Sequence, residues 1–175
     1  EKNFNPVIVT ENCVIRAPFH HLENQPKYDI IIMPKMSFGT GHHDTTWLMS
    51  KNMLDFDFKN KHVFDMGCGT GVLAILAQKL GATQIVGNDI DDWSVENALE
   101  NCSNNNCKNI KIVKGDNDLF SKHNAYDIVL ANINKNVLKS YIPKIALTIK
   151  SGGYLFLSGF FKTDTDELIH LASEH

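Results

Sequence analysis

Apolar positions along the chain alternate between two periods, and the switches from one to the other divide it into elements. "NPVIVTENCVIRAPFH" (5–20) reads as two strand-like runs around a polar turn, and "DIIIMPK" (29–35) is a β-branched run ended by Pro34. "SFGTGHHDTT" (37–46) is a glycine-bearing loop that leads into a helix-like stretch, "TTWLMSKNMLDF", and "HVFDM" (62–66) follows as a short strand. Val72, Leu73, Leu76 and Leu80 then recur at helical spacing, with Gly81 placed to close that helix in a left-handed conformation. "QIVGNDI" (84–90) is the next strand, and Val95, Ala98, Leu99 and Cys102 form a second apolar helical face. The Asn-rich "NCSNNNCKN" (101–109) reads as a solvated helix end and turn. Strands recur at "IKIV" (110–113), "YDIVLANI" (126–133) and "GYLFLS" (153–158). Between the last two, Leu138, Tyr141, Ile142, Ile145 and Ile149 keep helical spacing, and Pro143 is expected to kink that helix or restart it.

Strands that alternate with helices at this rhythm predict a doubly wound α/β sheet, mostly parallel, because each parallel pair needs a crossover and a helix usually supplies it. In such a sheet the ligand sits beyond the carboxyl ends of the strands, at the point where strand order reverses. The candidate chemistry falls at those ends.

"DMGCGTG" (65–71) follows the first central strand and opens a helix, so Gly67, Gly69 and Gly71 point to a place where backbone N–H groups and a helix N-terminus come close to a ligand. A bare turn is a poor explanation, since each glycine costs about 0.5–1 kcal/mol in chain entropy. A dinucleotide fingerprint fails when counted from Gly67 but fits as "GTGVLA" from Gly69, so the glycines alone leave two cofactor classes open. Asp65, directly before them, instead matches the opening acid of the first motif of S-adenosylmethionine-dependent methyltransferases. Asp89 ends the next strand, where either class places a carboxylate on its ribose hydroxyls, and Asp91 or Asp92 is the better helix cap. Asp116, after the third strand, is placed for the adenine edge or for a turn. Asn132 ends the fourth strand, facing the reacting end of a cofactor, while Asn134 is free to cap the next helix.

Composition narrows the setting. The chain has 175 residues, 43% of them hydrophobic, and a formal net charge of −3. That is enough for one sizeable core, and it is unlike the basic footprint of a nucleic-acid-binding domain. The longest apolar run, "YLFLSGFF" (154–161), falls far short of a membrane span. Cys13, Cys68, Cys102 and Cys107 lack C-x-x-C spacing, so free thiols in a reducing cytoplasm are expected, without a membrane or nucleic-acid partner. Two His-His pairs, at 20–21 and 42–43, do not converge on an ion without further ligands, so no metal is expected.

Taken together and in this order, "FGTGHHDTT", "DMGCGTGVLAI", "GNDID", "LANI" and "GGYLFLSGF" closely resemble the PrmA family, methyltransferases of a large-subunit ribosomal protein. The resemblance covers roughly residues 29–161. It implies a Rossmann-like sheet of the S-adenosylmethionine-dependent methyltransferase type and transfer of a methyl group to lysine side-chain and α-amino nitrogens of that ribosomal protein, with S-adenosylhomocysteine as product. It carries over Thr46, Gly67, Asp89 and Asn132 as cofactor contacts and Phe38 as an aromatic over the pocket; Asp65, Gly69, Gly71 and Asp116 complete the expected cofactor site, and Asn132 is the expected catalytic residue. It also implies a preceding substrate domain, with residues 1–28 as its end or a linker, residues 29–175 as the methyltransferase domain, and a C-terminal hairpin missing from a truncated chain. Oligomeric state is left open.

Three other readings compete. A nicotinamide-dependent oxidoreductase would use the "GTGVLA" frame, but no Ser-Tyr-Lys or His-Arg-Asp arrangement stands at strand ends to handle the proton. A domain of this fold can also bind cofactor or a protein partner without turnover. A methyltransferase of the N-P-P-Y/F kind, acting on glutamine or a nucleobase, meets Ile133 and Asn134 where it needs prolines.

Overall fold

The computed structural model describes residues 5–34, 44–115 and 119–173. Two sheets form. The strands β1 (Val7–Thr10) and β2 (Cys13–Arg16) pair antiparallel, and β3 (Tyr28–Ile31) lies parallel to β2 with Cys13 opposite Tyr28. Arg16 fixes that register, donating from Nε and Nη2 to the two carboxylate oxygens of Asp29 at 2.8 and 2.9 Å. Helix α1 (Asp44–Leu54) follows.

The larger sheet contains β4 (His62–Met66), β5 (Gln84–Asp89), β6 (Ile110–Lys114), β7 (Tyr126–Asn132) and β8 (Ile149–Ser158). Its spatial order is β6-β5-β4-β7-β8 and every pairing is parallel. The chain therefore winds outward from β4 in one direction and from β7 in the other, which is the doubly wound α/β architecture expected. The crossovers are α2 (Val72–Lys79), α3 (Asp92–Asn104) and α4 (Lys135–Thr148), and α5 (Thr165–Ser173) follows β8.

Strand periodicity assigns side chains to two cores. Val63, Ile85, Ile128 and Leu130 face α2 and share their core with Val9, Ile15 and Ile30 of the small sheet. Phe64, Met66, Val129 and Ala131 face the other way, onto Leu138, Ile142 and Ile145 of α4. With both faces covered, these strands read as near-continuous apolar runs.

The expected helix ends are present. Gly81, at φ +105°, and Ala82 donate to the carbonyls of Gln78 and Ala77, closing α2 in a Schellman motif. Asp91 caps α3 through Trp93 N–H, and Asn134 caps α4 through Asn136 N–H. Pro143 lies inside α4, which runs unbroken from Lys135 to Thr148, so neither a restart nor a second helix occurs there. β8 begins at Ile149, four residues before the expected strand.

The Asn-rich stretch is the helix end and turn expected, with Ser103, Asn104, Asn106, Lys108 and Asn109 exposed, but Asn101 and Asn105 are held by partners within the fold. Asn101 is fully buried. Its Oδ1 accepts from Met33 N–H at 2.8 Å and its Nδ2 donates to the Thr70 carbonyl at 2.9 Å. One turn on, Asn105 accepts from Ile31 N–H and donates to the Ile31 carbonyl. Four helical residues rise about 6 Å and two extended residues about 6.6 Å, so amides at i and i+4 act as a neighbouring strand for the open edge of β3.

Candidate functional site

The site lies at the carboxyl end of β4, where strand order reverses. Gly67, Gly69 and Gly71 have φ of +66°, +53° and +79°, three alternate left-handed residues that an L side chain would strain. The loop they form is folded against its own neighbours. Gly67 N–H donates to Asn88 Oδ1, Cys68 N–H to the Asn88 carbonyl, Gly69 N–H to Asp89 Oδ2 and Gly71 N–H to the Cys68 carbonyl. Three of these N–H groups are satisfied from the end of β5, and Gly67 and Gly69 line the cavity at the end of β4. Packing explains two glycines. A Cβ on Gly67 would stand 2.5 Å from Ile133 Cγ2, and one on Gly71 would stand 3.3 Å from Ala98 Cβ.

Two carboxylates flank the loop. Asp89 accepts from Gly69 N–H at 3.0 Å with one oxygen and from Asp91 N–H at 3.1 Å with the other. Each oxygen keeps a second lone pair, so the group can still accept from a vicinal diol. Asp65 is almost completely buried and accepts from Ala74 N–H at 3.1 Å, tying the first turn of α2 to β4. Burial pushes its carboxyl up to about 7; the Ala74 N–H opposes the rise and the negative charge of Asp89 adds to it.

Across the loop, Asn132 ends β7 with its amide held on both sides. Its Nδ2 donates to Thr46 Oγ1 at 3.0 Å, and its Oδ1 accepts from Ser158 Oγ at 2.5 Å. Thr46, in the first turn of α1, is fully buried. A small cavity lies between these groups, lined by Asp65, Gly67, Gly69, Leu73 and Asn132 among others. The backbone after Asn132 is tightly fixed: a Cβ on Gly159, at φ +84°, would stand 2.2 Å from the Ile133 carbonyl oxygen.

The structure thus brings together Thr46, Asp65, Gly67, Gly69, Gly71, Asp89 and Asn132. Phe38 and Asp116 lie outside the described residues. Sequence reasoning missed Asn88, whose only signal was its place beside Asp89, and Ser158, a serine at a strand end with no motif around it. Among the described residues no group of three His, Cys, Asp or Glu side chains converges as metal ligands.

Comparison with known proteins decides between the open readings. The family model described as ribosomal protein L11 methyltransferase (PrmA) matches residues 1–175. The chain belongs to the PrmA family. It is 43% identical over 98% of its length to the ribosomal protein L11 methyltransferase of Porphyromonas gingivalis, covering 60% of that protein. It is 42% identical over 94% of its length to that of Phocaeicola vulgatus, covering 59%. The chain therefore spans about three fifths of these relatives. A crystal structure of the ribosomal protein L11 methylase from Lactobacillus delbrueckii subsp. bulgaricus superposes with a TM-score of 0.85 at 26% identity, covering 98% of this chain and 88% of that one. The PrmA resemblance and the Rossmann-like methyltransferase fold are borne out, and the nicotinamide reading gains no support.

Proposed function

We propose that this chain carries the methyl-transfer centre of an S-adenosylmethionine-dependent protein N-methyltransferase, whose substrate is a large-subunit ribosomal protein and whose acceptors are lysine side-chain and α-amino nitrogens. The names of its PrmA relatives support the activity and the substrate. The observation that carries it in this chain is the pair of carboxylates, Asp65 and Asp89, set on either side of a glycine loop that faces an uncharged amide, Asn132. A donor with a sulfonium and an ammonium fits an acidic setting, and its ribose diol fits the free lone pairs of Asp89. Residues 29–175 are read as the donor-binding domain and 1–28 as the end of a preceding domain or linker strands, which pack Val9 and Ile15 into the same core as α2. The proposed working place is the cytoplasm, without nucleic acid or membrane; among the described residues no helix is long and apolar enough to cross a membrane.

S-adenosylmethionine supplies an electrophilic methyl group, so the protein has to deliver an amine with a free lone pair. A lysine with a pKa near 10.4 costs about 4.6 kcal/mol to deprotonate at pH 7, and an α-amine near 7.7–8.0 only about 1. The site offers no strong base at Asn132. Its Oδ1 orients the amine by accepting an N–H, and the neighbouring sulfonium charge and the exclusion of water push the amine toward its neutral form. Positioning in line with the methyl group supplies most of the rate.

The reading is tested by calorimetric titration with S-adenosylmethionine, S-adenosylhomocysteine and NAD. Binding of the first two and not NAD, weakened at least about tenfold in Asp89→Ala, is the expected result. Binding of NAD alone would overturn it. For Asn132→Ala at saturating donor, a large loss of kcat supports the orienting role, whereas a loss confined to donor affinity reduces Asn132 to a binding contact.

A further inference from the structure

Ser158 is the last residue of β8, and in the parallel β7–β8 ladder its Cα partner is Asn132. The two side chains therefore emerge side by side. The contact lengths orient the amide between its neighbours: 2.5 Å from Ser158 Oγ suits O–H···O and is short for N–H···O, while 3.0 Å to Thr46 Oγ1 is the usual N–H···O length. The oxygen of Asn132 accordingly faces Ser158 and its nitrogen faces Thr46. Protons run one way, from Ser158 to Asn132 and from Asn132 to Thr46, which leaves the hydroxyl proton of Thr46 to be given elsewhere. A flip of the amide would set Nδ2 against the serine at a length too short for it and break this order.

We propose that Ser158 is a positioning residue for methyl transfer: its hydroxyl holds the Asn132 amide with Oδ1 on the β8 side, one lone pair occupied and the other presented to the incoming amine. The serine, asparagine and threonine side chains do not titrate near neutral pH, so the orientation holds across the range in which the substrate amine loses its proton. Gly159 lets the two strand ends lie close together, since a Cβ there would stand 2.2 Å from the Ile133 carbonyl oxygen. Sequence pattern did not point to Ser158, since its partner is 26 residues away and on another strand.

The inference rests on the methyltransferase reading, and the experiment separates the two. Ser158→Ala, Ser158→Thr, Asn132→Ala and the double variant Ser158→Ala/Asn132→Ala are compared in the full-length protein, by steady-state kinetics with S-adenosylmethionine and the ribosomal protein and by titration with S-adenosylhomocysteine. The expected result is a loss of kcat of about tenfold in Ser158→Ala, as for one hydrogen bond, with KM for both substrates and the melting temperature nearly unchanged. Ser158→Thr, which keeps the hydroxyl, recovers most of the rate. In the Asn132→Ala background, Ser158→Ala changes kcat less than about twofold, because the bond it would remove is already gone. Multiplying effects in the double variant would overturn the proposal, as would a wild-type kcat in Ser158→Ala. If the wild-type protein binds no S-adenosylhomocysteine, the methyltransferase reading fails first; if it binds and the cycle is multiplicative, only the role of Ser158 fails.

Discussion

Replacing Asp65 by Asn gives opposite effects on stability and on donor binding, and pH separates them. The buried carboxyl titrates near 7 in the folded protein, against 3.8 for an ordinary aspartate. Folding thus favours its protonated form. That contribution is complete below about pH 4, where both states hold the proton, and is lost as pH climbs through about 7. The full gap of about three pH units corresponds to roughly 4 kcal/mol at 1.36 kcal/mol each. Between pH 5 and pH 8 the part from 5 to 7 is lost, on the order of 2–3 kcal/mol. For a chain of this size 1 kcal/mol moves the melting temperature by about 2–4 °C, so wild type should lose roughly 5–10 °C relative to Asp65→Asn over that range. Asn keeps an oxygen for the Ala74 N–H but never ionises. Differential scanning calorimetry of both proteins at pH 5 and pH 8 reads the difference directly, and titration of the histidines cancels between them. Donor affinity at pH 8 should fall in the same variant, since the charge facing a cationic ligand is gone. A wild-type minus variant difference that is the same at both pH values would refute the burial argument.

Two further substitutions probe the frame around the site. Gly159→Ala meets both a left-handed backbone and the Ile133 carbonyl, whereas Gly152→Ala, at φ +75° with nothing within 4 Å, meets the backbone cost alone. Urea denaturation should place the second about 1–2 kcal/mol below wild type and the first clearly lower; equal losses would remove the clash from the account. Asn101→Ala removes the acceptor of the Met33 N–H and a buried donor to the Thr70 carbonyl, so a loss of about 2–4 kcal/mol is expected by the same method, and a loss under about 0.5 would show that water replaces the amide.

What the sequence reveals here is whatever is local. The loop glycines, the acid at the end of β5, the caps Asp91 and Asn134 and the turn at Gly81 each act within a few residues of themselves, so spacing alone exposes them. Asn101 and Asn105 illustrate the opposite case. An asparagine cluster at a helix end has the composition of a solvated turn, and only the arrival of β3, some 70 residues earlier in the chain, makes its amides strand partners. Gly67 was legible as a special position but for an incomplete reason: the side chain excluded there is kept out by Ile133 as well as by any ligand. Pro143 does not restart its helix, because a proline inside a helix costs one hydrogen bond and a local clash, which the packing of Leu138, Ile142 and Ile145 outweighs.

Ile133 touches Gly67 with its side chain and Gly159 with its carbonyl, so three distant positions share one volume. None of them can drift alone: a methyl group gained at 67 requires one lost at 133, and any side chain at 159 requires the backbone at 133 to retreat. Natural variation in this corner should therefore move in concert, and a smaller residue at 133 relieves the contact at 67 without relieving the left-handed backbone there. A laboratory library that randomises the three codons together would recover active combinations that no single-site scan can reach.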